Sequence, residues 1–139
     1  ILKSKGSEGV LTVKPGTLVS EAAKILAEKG IGTVVVSEDG TVPVGILSER
    51  DIVRELARKG VGCMSDSVDA YMTTELVTCA RNDDAVDVLE KMTAGRFRHM
   101  PVMEDGTLVG LVSLGDAVKA RLSELAMEKD ALEGMIMGH

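Results

Sequence analysis

Gly45-Ile46-Leu47-Ser48-Glu49-Arg50-Asp51 returns 65 positions later as Gly110-Leu111-Val112-Ser113-Leu114-Gly115-Asp116, and this recurrence decides the fold. Each copy joins a β-rich run to a Ser-x-x-Asp helix start. Upstream, Val36-Ser37-Glu38-Asp39-Gly40-Thr41 is echoed by Val102-Met103-Glu104-Asp105-Gly106-Thr107, now 66 positions apart. Both carry an Asp-Gly pair between β-rich runs, a strong hairpin signal. One extra residue near Pro43 accounts for the change of spacing. Farther upstream, Thr12-Val13 matches Thr78-Cys79, and Glu21-Ala22-Ala23-Lys24-Ile25-Leu26 matches Asp87-Val88-Leu89-Glu90-Lys91-Met92, again at 66. The whole unit is duplicated.

Each unit reads as β-α-β-β-α. In the first, a strand at roughly 10–13 leads through a Pro15-Gly16 turn into a helix capped by Thr17. That helix turns Ala22, Ala23, Ile25 and Leu26 inward and stops at Gly30. Hairpin strands follow at 33–36 and 42–47, then a helix from Ser48 to about Lys59 with Ile52, Val53 and Leu56 as its apolar face. The second unit expects a strand at 76–79, a turn at Asn82-Asp83 with Asp83 as the helix cap, strands at 100–103 and 108–112, and a helix from Ser113. The boundaries are 8–60 for the first repeat, 61–75 for a linker that opens as a loop, 76–125 for the second repeat, and 126–139 for a C-terminal helical extension. A three-stranded sheet with both helices on one face leaves an apolar face open, so the expected fold class is α+β with the two β-α-β-β-α repeats packed face to face.

Composition narrows the function. With 45% hydrophobic and 27% charged residues, a chain of 139 residues can bury a proper core. Phe97 and Tyr71 are its only aromatics, and its net charge is −6 with a pI near 4.9. A surface so acidic and so poor in stacking rings argues against general nucleic-acid binding. Any anion site must be local. Cys63 and Cys79 form no CxxC pair, which fits a reducing cytoplasm. No segment is long and apolar enough for a membrane span, and Ile1-Leu2-Lys3-Ser4-Lys5-Gly6 lacks a signal-peptide core. The chain does not open on Met, so this stretch is not read as a complete N-terminus.

The Ser-x-x-Asp motif has two readings. In the first, the Ser48 hydroxyl accepts from the Asp51 amide while the Asp51 carboxylate reaches back to the Ser48 amide, a capping box worth about 1 kcal/mol. In the second, the helix N-terminus and the Ser hydroxyl attract a phosphate, and the Asp carboxylate accepts from both hydroxyls of a sugar diol. Spacing alone does not separate them.

Two copies in order of strand, helix, hairpin and Gly-hydrophobic-x-Ser-x-x-Asp, with Thr17-Leu18-Val19-Ser20-Glu21-Ala22-Ala23 at the first helix and Arg98-His99-Met100-Pro101-Val102 at a strand entry, resemble a tandem pair of cystathionine-β-synthase (CBS) domains over roughly residues 8–125. The resemblance implies a Bateman module: a regulatory unit that binds adenosine-containing ligands such as AMP, ADP or ATP in clefts between the repeats, signals to a regulated partner and dimerises through its helices. Carried onto this chain, it implies that Ser48 and Asp51 serve one cleft and Ser113 and Asp116 the other, with Asp on the ribose and Ser nearer the phosphate. It also implies that Arg98 and His99 help with phosphates. Their first-repeat counterparts Gly32 and Thr33 are uncharged, so the two clefts should differ in anion affinity, and Thr33 is counted among the expected binding residues. Thr12 and Thr78 fall where the family lines its adenine pocket, although a strand Thr is more often structural.

Other readings stand beside these. Arg96, Arg98 and His99 can equally be a solvated basic cluster paired with acidic neighbours. Cys63, Cys79, His99 and His139 lack zinc-ligand spacing, so no metal and no cofactor are expected. No histidine is linked by a signature to a nucleophile, so the chain is read as not an enzyme. Val118, Leu122, Leu125 and Leu132 form a stripe on the last helix that points to a homodimer or partner surface, made adaptable by Met127, Met135 and Met137. A structural homodimerisation module without a nucleotide is the alternative function.

Overall fold

The computed structural model describes residues 10–137. Strand β1 (Thr12–Val13), helix α1 (Val19–Lys29), strands β2 (Thr33–Ser37) and β3 (Pro43–Ser48) and helix α2 (Glu49–Lys59) make the first repeat. The second has β4 (Cys79–Ala80), α3 (Ala85–Gly95), β5 (His99–Glu104), β6 (Thr107–Ser113) and α4 (Leu114–Met137). The expected β-α-β-β-α order holds in both.

Each repeat builds one sheet, ordered β1-β2-β3 and β4-β5-β6. The first two strands of each are parallel, which a crossover helix makes possible, and the last two form an antiparallel hairpin. Val34, Val35 and Val36 are fully buried along β2, as are Met100 and Pro101 on β5. A central strand covered on both faces needs a second layer opposite its helices, and the other repeat supplies it. Contacts across the join include Thr33 Oγ1 to His99 Nδ1 at 2.9 Å and the Leu108 amide donating to Thr41 O at 2.6 Å.

Local chemistry explains the turns. In the second repeat Asp105 (φ 51°) and Gly106 (φ 77°) close a two-residue hairpin loop between Glu104 and Thr107, the left-handed pair that matches strand twist. The first repeat pairs Ser37 with Pro43, leaving a longer loop that holds the extra residue, and there Asp39 Oδ1 accepts from the amides of Thr41 and Val42.

Several local expectations are corrected. Thr17 does not cap α1: its hydroxyl donates to Lys14 O at 2.6 Å, and Leu18 is the N-cap without a side-chain bond. Asp83 does not cap α3, because its carboxylate accepts from the Ala80 amide at 2.8 Å and Asp84 holds the N-cap place. Val53 is 63% exposed, and α2 instead buries Ile52 together with Glu55. The segment after α2 is not a plain loop. It forms two short 3-10 turns, Gly60–Ser65 and Val68–Ala70, whose Cys63 and Val68 are fully buried. Beyond them Thr73 exchanges two backbone hydrogen bonds with Ile46, at 2.8 and 3.0 Å, which fixes the connecting segment against β3 at that point. Helix α4 runs without a break to Met137; Val118, Leu122, Leu125 and Leu132 are exposed on it, as are Met127 and Met135. Among the described residues no helix is long and apolar enough to cross a membrane. Met137, expected on the same surface, has a side chain that lies outside the described residues, and so does His139.

Candidate functional site

The two Ser-x-x-Asp motifs fold as capping boxes. Ser48 ends β3 in extended conformation, its Oγ accepts from the Asp51 amide at 3.2 Å, and the Ser48 amide donates to Asp51 Oδ2 at 2.8 Å. Ser113 and Asp116 repeat both bonds at 3.1 and 2.9 Å. These bonds start each helix squarely and satisfy two of its free amides. They leave capacity on Asp51, whose two oxygens offer about four acceptor sites. Ser48 Oγ donates to Oδ2 at 2.9 Å, and Arg54 pairs with Oδ1 at 2.5 Å.

What separates the two boxes is their setting. Ser48 and Asp51 open onto a cleft of about 560 Å³ that draws on both repeats and on the connecting segment. The first repeat contributes Gly32 and Thr33 along with the box, and the second contributes Arg96, Phe97, Arg98 and His99. Thr73, Glu75 and Val77 of the connecting segment close one side, held there by the Thr73–Ile46 pairing. Thr33 and His99, 66 positions apart in the repeat, meet across the join through their 2.9 Å hydrogen bond. A smaller hollow of about 230 Å³ shares the wall formed by Arg50, Arg96, Phe97 and Arg98.

Of the residues expected to bind, the cleft gathers Ser48, Asp51, Thr33, Arg98 and His99. It does not take in Ser113, Asp116, Thr12 or Thr78. Thr12 is half-buried on β1 near Gly40, and Thr78 precedes β4 instead of lying on it. Arg50, Arg54 and Phe97 line the cleft as well and were not anticipated. Arg54 stands three residues after Asp51 on α2, so helical spacing was the available signal for it, whereas Arg50, directly beside Asp51 in the chain, had none. Nothing local marked residues 73–77, because their position depends on a pairing with β3.

The charges are uneven. Arg54 is committed to Asp51 and approaches Glu55 at 3.9 Å. Arg50, Arg96 and Arg98 enter none of the ion pairs among the described residues. Cys79 lies on β4 beside β5, where burial pushes its thiol up to about 11, so it is a packing residue and not a nucleophile.

The profile of the CBS domain matches residues 7–58 and again 68–123, one match for each repeat. The chain belongs to the CBS domain family. Its fold is that of a tandem CBS pair: the CBS-domain containing protein ATU1752 from Agrobacterium tumefaciens superposes with a TM-score of 0.81 at 44% identity, over 86% of this chain and 94% of that one. A mitochondrial CBS domain-containing protein of Arabidopsis thaliana, CBSX3, is 32% identical over 99% of this chain and 70% of its own length. Two further solved CBS proteins hold ligands. The CBS domain pair of protein MJ0100, in complex with 5'-methylthioadenosine and S-adenosyl-L-methionine, has a TM-score of 0.76 at 25% identity over 86% of this chain and 97% of that one. PAE2072 from Pyrobaculum aerophilum, complexed with AMP, has 0.73 at 25% over 81% and 86%.

Proposed function

We propose that this CBS pair is a non-catalytic regulatory module that binds an adenosine-containing ligand, AMP, ADP, ATP or a related compound, in the cleft at Ser48 and Asp51 and signals the bound state to a partner protein. The observation that carries the reading is the cleft's double origin: its box comes from the first repeat and its basic wall from the second. A ligand held by both favours the docked arrangement of the repeats by mass action. Asp51 accepts from the ribose hydroxyls with the capacity its cap leaves free, while the α2 N-terminus, Arg98 and His99 take phosphate. Ile46, Val77 and Phe97 offer apolar surface to the base. The adenosine-containing ligands of the two solved relatives support this chemistry.

We place the module in the cytoplasm, where nucleotide levels vary and where the free, buried Cys63 and Cys79 stay reduced. The exposed stripe of Val118, Leu122, Leu125 and Leu132 suits a homodimer contact, and the same helix would convey the ligand state. Sedimentation of the purified chain tests the dimer: a monomer across the micromolar range refutes it. The ligand test is a thermal-unfolding screen against AMP, ADP, ATP, NAD, NADH and S-adenosylmethionine. A ligand at one hundred times its Kd adds about 2.7 kcal/mol of stability, so the expected result is a concentration-dependent rise with an adenosine ligand. No rise with any of them at millimolar concentration refutes the ligand reading.

A further inference from the structure

The two repeats end their first helices differently. Gly30 closes α1 at φ 62°, whereas Arg96 holds the equivalent place after α3 at φ 56°. Left-handed backbone is uncomfortable for a residue with a Cβ, and glycine is the usual occupant of such a C-cap. Glycine is present one position earlier, at Gly95, where the Phe97 ring leaves no room for a Cβ. The chain therefore keeps a strained arginine where its own first repeat shows that glycine suffices. Strained backbone of this kind persists mainly at functional sites.

Arg96 lines the cleft and the smaller hollow beside it, and so do Arg50 and Arg98. All three are exposed and without carboxylate partners among the ion pairs of the described residues, in a chain whose net charge is −6. Three guanidinium forks on a wall shared by two neighbouring spaces suit a string of phosphate oxygens longer than one group. They also disfavour a ligand that carries its own positive charge there.

We propose that Arg96, with Arg50 and Arg98, seats the second and third phosphates of a nucleotide, so that the cleft prefers nucleoside di- and triphosphates to monophosphates and disfavours the sulfonium of S-adenosylmethionine. The proposal rests on the cleft reading above. It makes Arg96 a specificity residue that is kept for its charge at the expense of local strain.

The test is isothermal titration of the full chain with ATP, ADP, AMP and S-adenosylmethionine, at one ionic strength and without added magnesium, for the wild type, Arg96→Gly and Arg96→Lys. Thermal unfolding of each without ligand accompanies it. The expected wild-type order is ATP, then ADP, then AMP, with at least tenfold between the first and last, and S-adenosylmethionine weakest. Arg96→Gly lowers ATP affinity at least fivefold and leaves AMP within twofold, while its unfolding midpoint stays level or rises. Arg96→Lys keeps part of the ATP affinity and melts below Arg96→Gly. ATP bound no more tightly than AMP, an Arg96→Gly variant with wild-type ATP affinity, or a midpoint lowered by several degrees in that variant overturns the phosphate seat alone. Failure of every adenosine ligand to bind overturns the cleft reading beneath it.

Discussion

Replacing Asp51 and Asp116 by alanine, one at a time, separates the two roles of the repeated motif. In both positions the carboxylate accepts from the amide of the serine three residues before it, at 2.8 Å for Ser48 and 2.9 Å for Ser113. Each substitution strips that acceptor and leaves the serine's own capping bond, a loss of about 1 kcal/mol. Asp51 also gives up its pairing with Arg54, whose side chain is largely exposed, which adds a few tenths of a kcal/mol at most. Both variants should therefore melt roughly 3–5 °C below the wild type. Binding responds differently, because the cap is present in the free and the bound protein alike and cancels from the affinity. Asp51 lines the cleft and Asp116 does not. Charge-assisted hydrogen bonds to a ribose diol contribute about 1.5–3 kcal/mol, so Asp51→Ala should weaken AMP roughly 10–100-fold and Asp116→Ala should hold within twofold. Circular-dichroism melts and titration calorimetry read the two quantities. Equal losses of affinity in the two variants, or wild-type affinity in Asp51→Ala, would refute the assignment of this cleft.

Two other outcomes test how the cleft is held. A Cβ on Gly45 would stand 2.7 Å from Met72 Cγ and closer still to its sulfur, so Gly45→Ala should lose about 1–3 kcal/mol in urea unfolding and recover part of it when combined with Met72→Ala; a fully stable single variant would show that the connecting segment is not pressed against β3. The amide of Thr41, with that of Val42 and the Ser37 hydroxyl, holds the Asp39 carboxyl down at about 2 from its ordinary 3.8. A lowered folded-state pKa means stability that is complete above about pH 4 and lost as pH falls through about 2, so the midpoint gap between wild type and Asp39→Asn should be constant above pH 4 and close toward pH 2. A gap unchanged across that range sinks this account of the turn.

The parts of the fold that were legible share a local cause. Asp105-Gly106 demands left-handed backbone in consecutive residues, and Gly30 demands it at a helix end, so sequence identity and conformation are coupled within a few positions. The Ser-x-x-Asp boxes are local in the same sense, and both formed. The parts that were not legible depend on distant contacts. Leu18 caps α1 with backbone alone, while the Val19 amide donates to Asp66 O and the Val68 amide to Thr17 O, bonds that bring the connecting segment to the start of α1. Val53 has the spacing of a core residue, yet the α2 face that packs carries Glu55. The cleft's third wall needed the Thr73–Ile46 pairing, which no pattern within residues 61–75 announces. Arg96 was a missed signal of another kind: set against Gly30 through the 66-residue offset, it occupies a glycine position, and the repeat itself was the evidence.

Duplication explains why the two halves look alike and act differently. A capping box is favoured wherever β3 runs into α2 or β6 into α4, so helix capping alone accounts for Ser-x-x-Asp in both repeats, whether or not a ligand ever visits. The cleft obeys no such symmetry. Its basic residues are Arg50 and Arg54 on the first repeat and Arg96, Arg98 and His99 on the second, while the first-repeat equivalents of the last three are the uncharged Gly30, Gly32 and Thr33. A ligand seated there has to touch both repeats to meet the full set of cations, and neither half alone can offer the site. Binding affinity is then also docking affinity between the halves. Since α4 continues directly from β6, the proposed signal has a direct route: a change in how β5 and β6 sit against the first repeat would reach the exposed stripe of Val118, Leu122 and Leu125 along one helix.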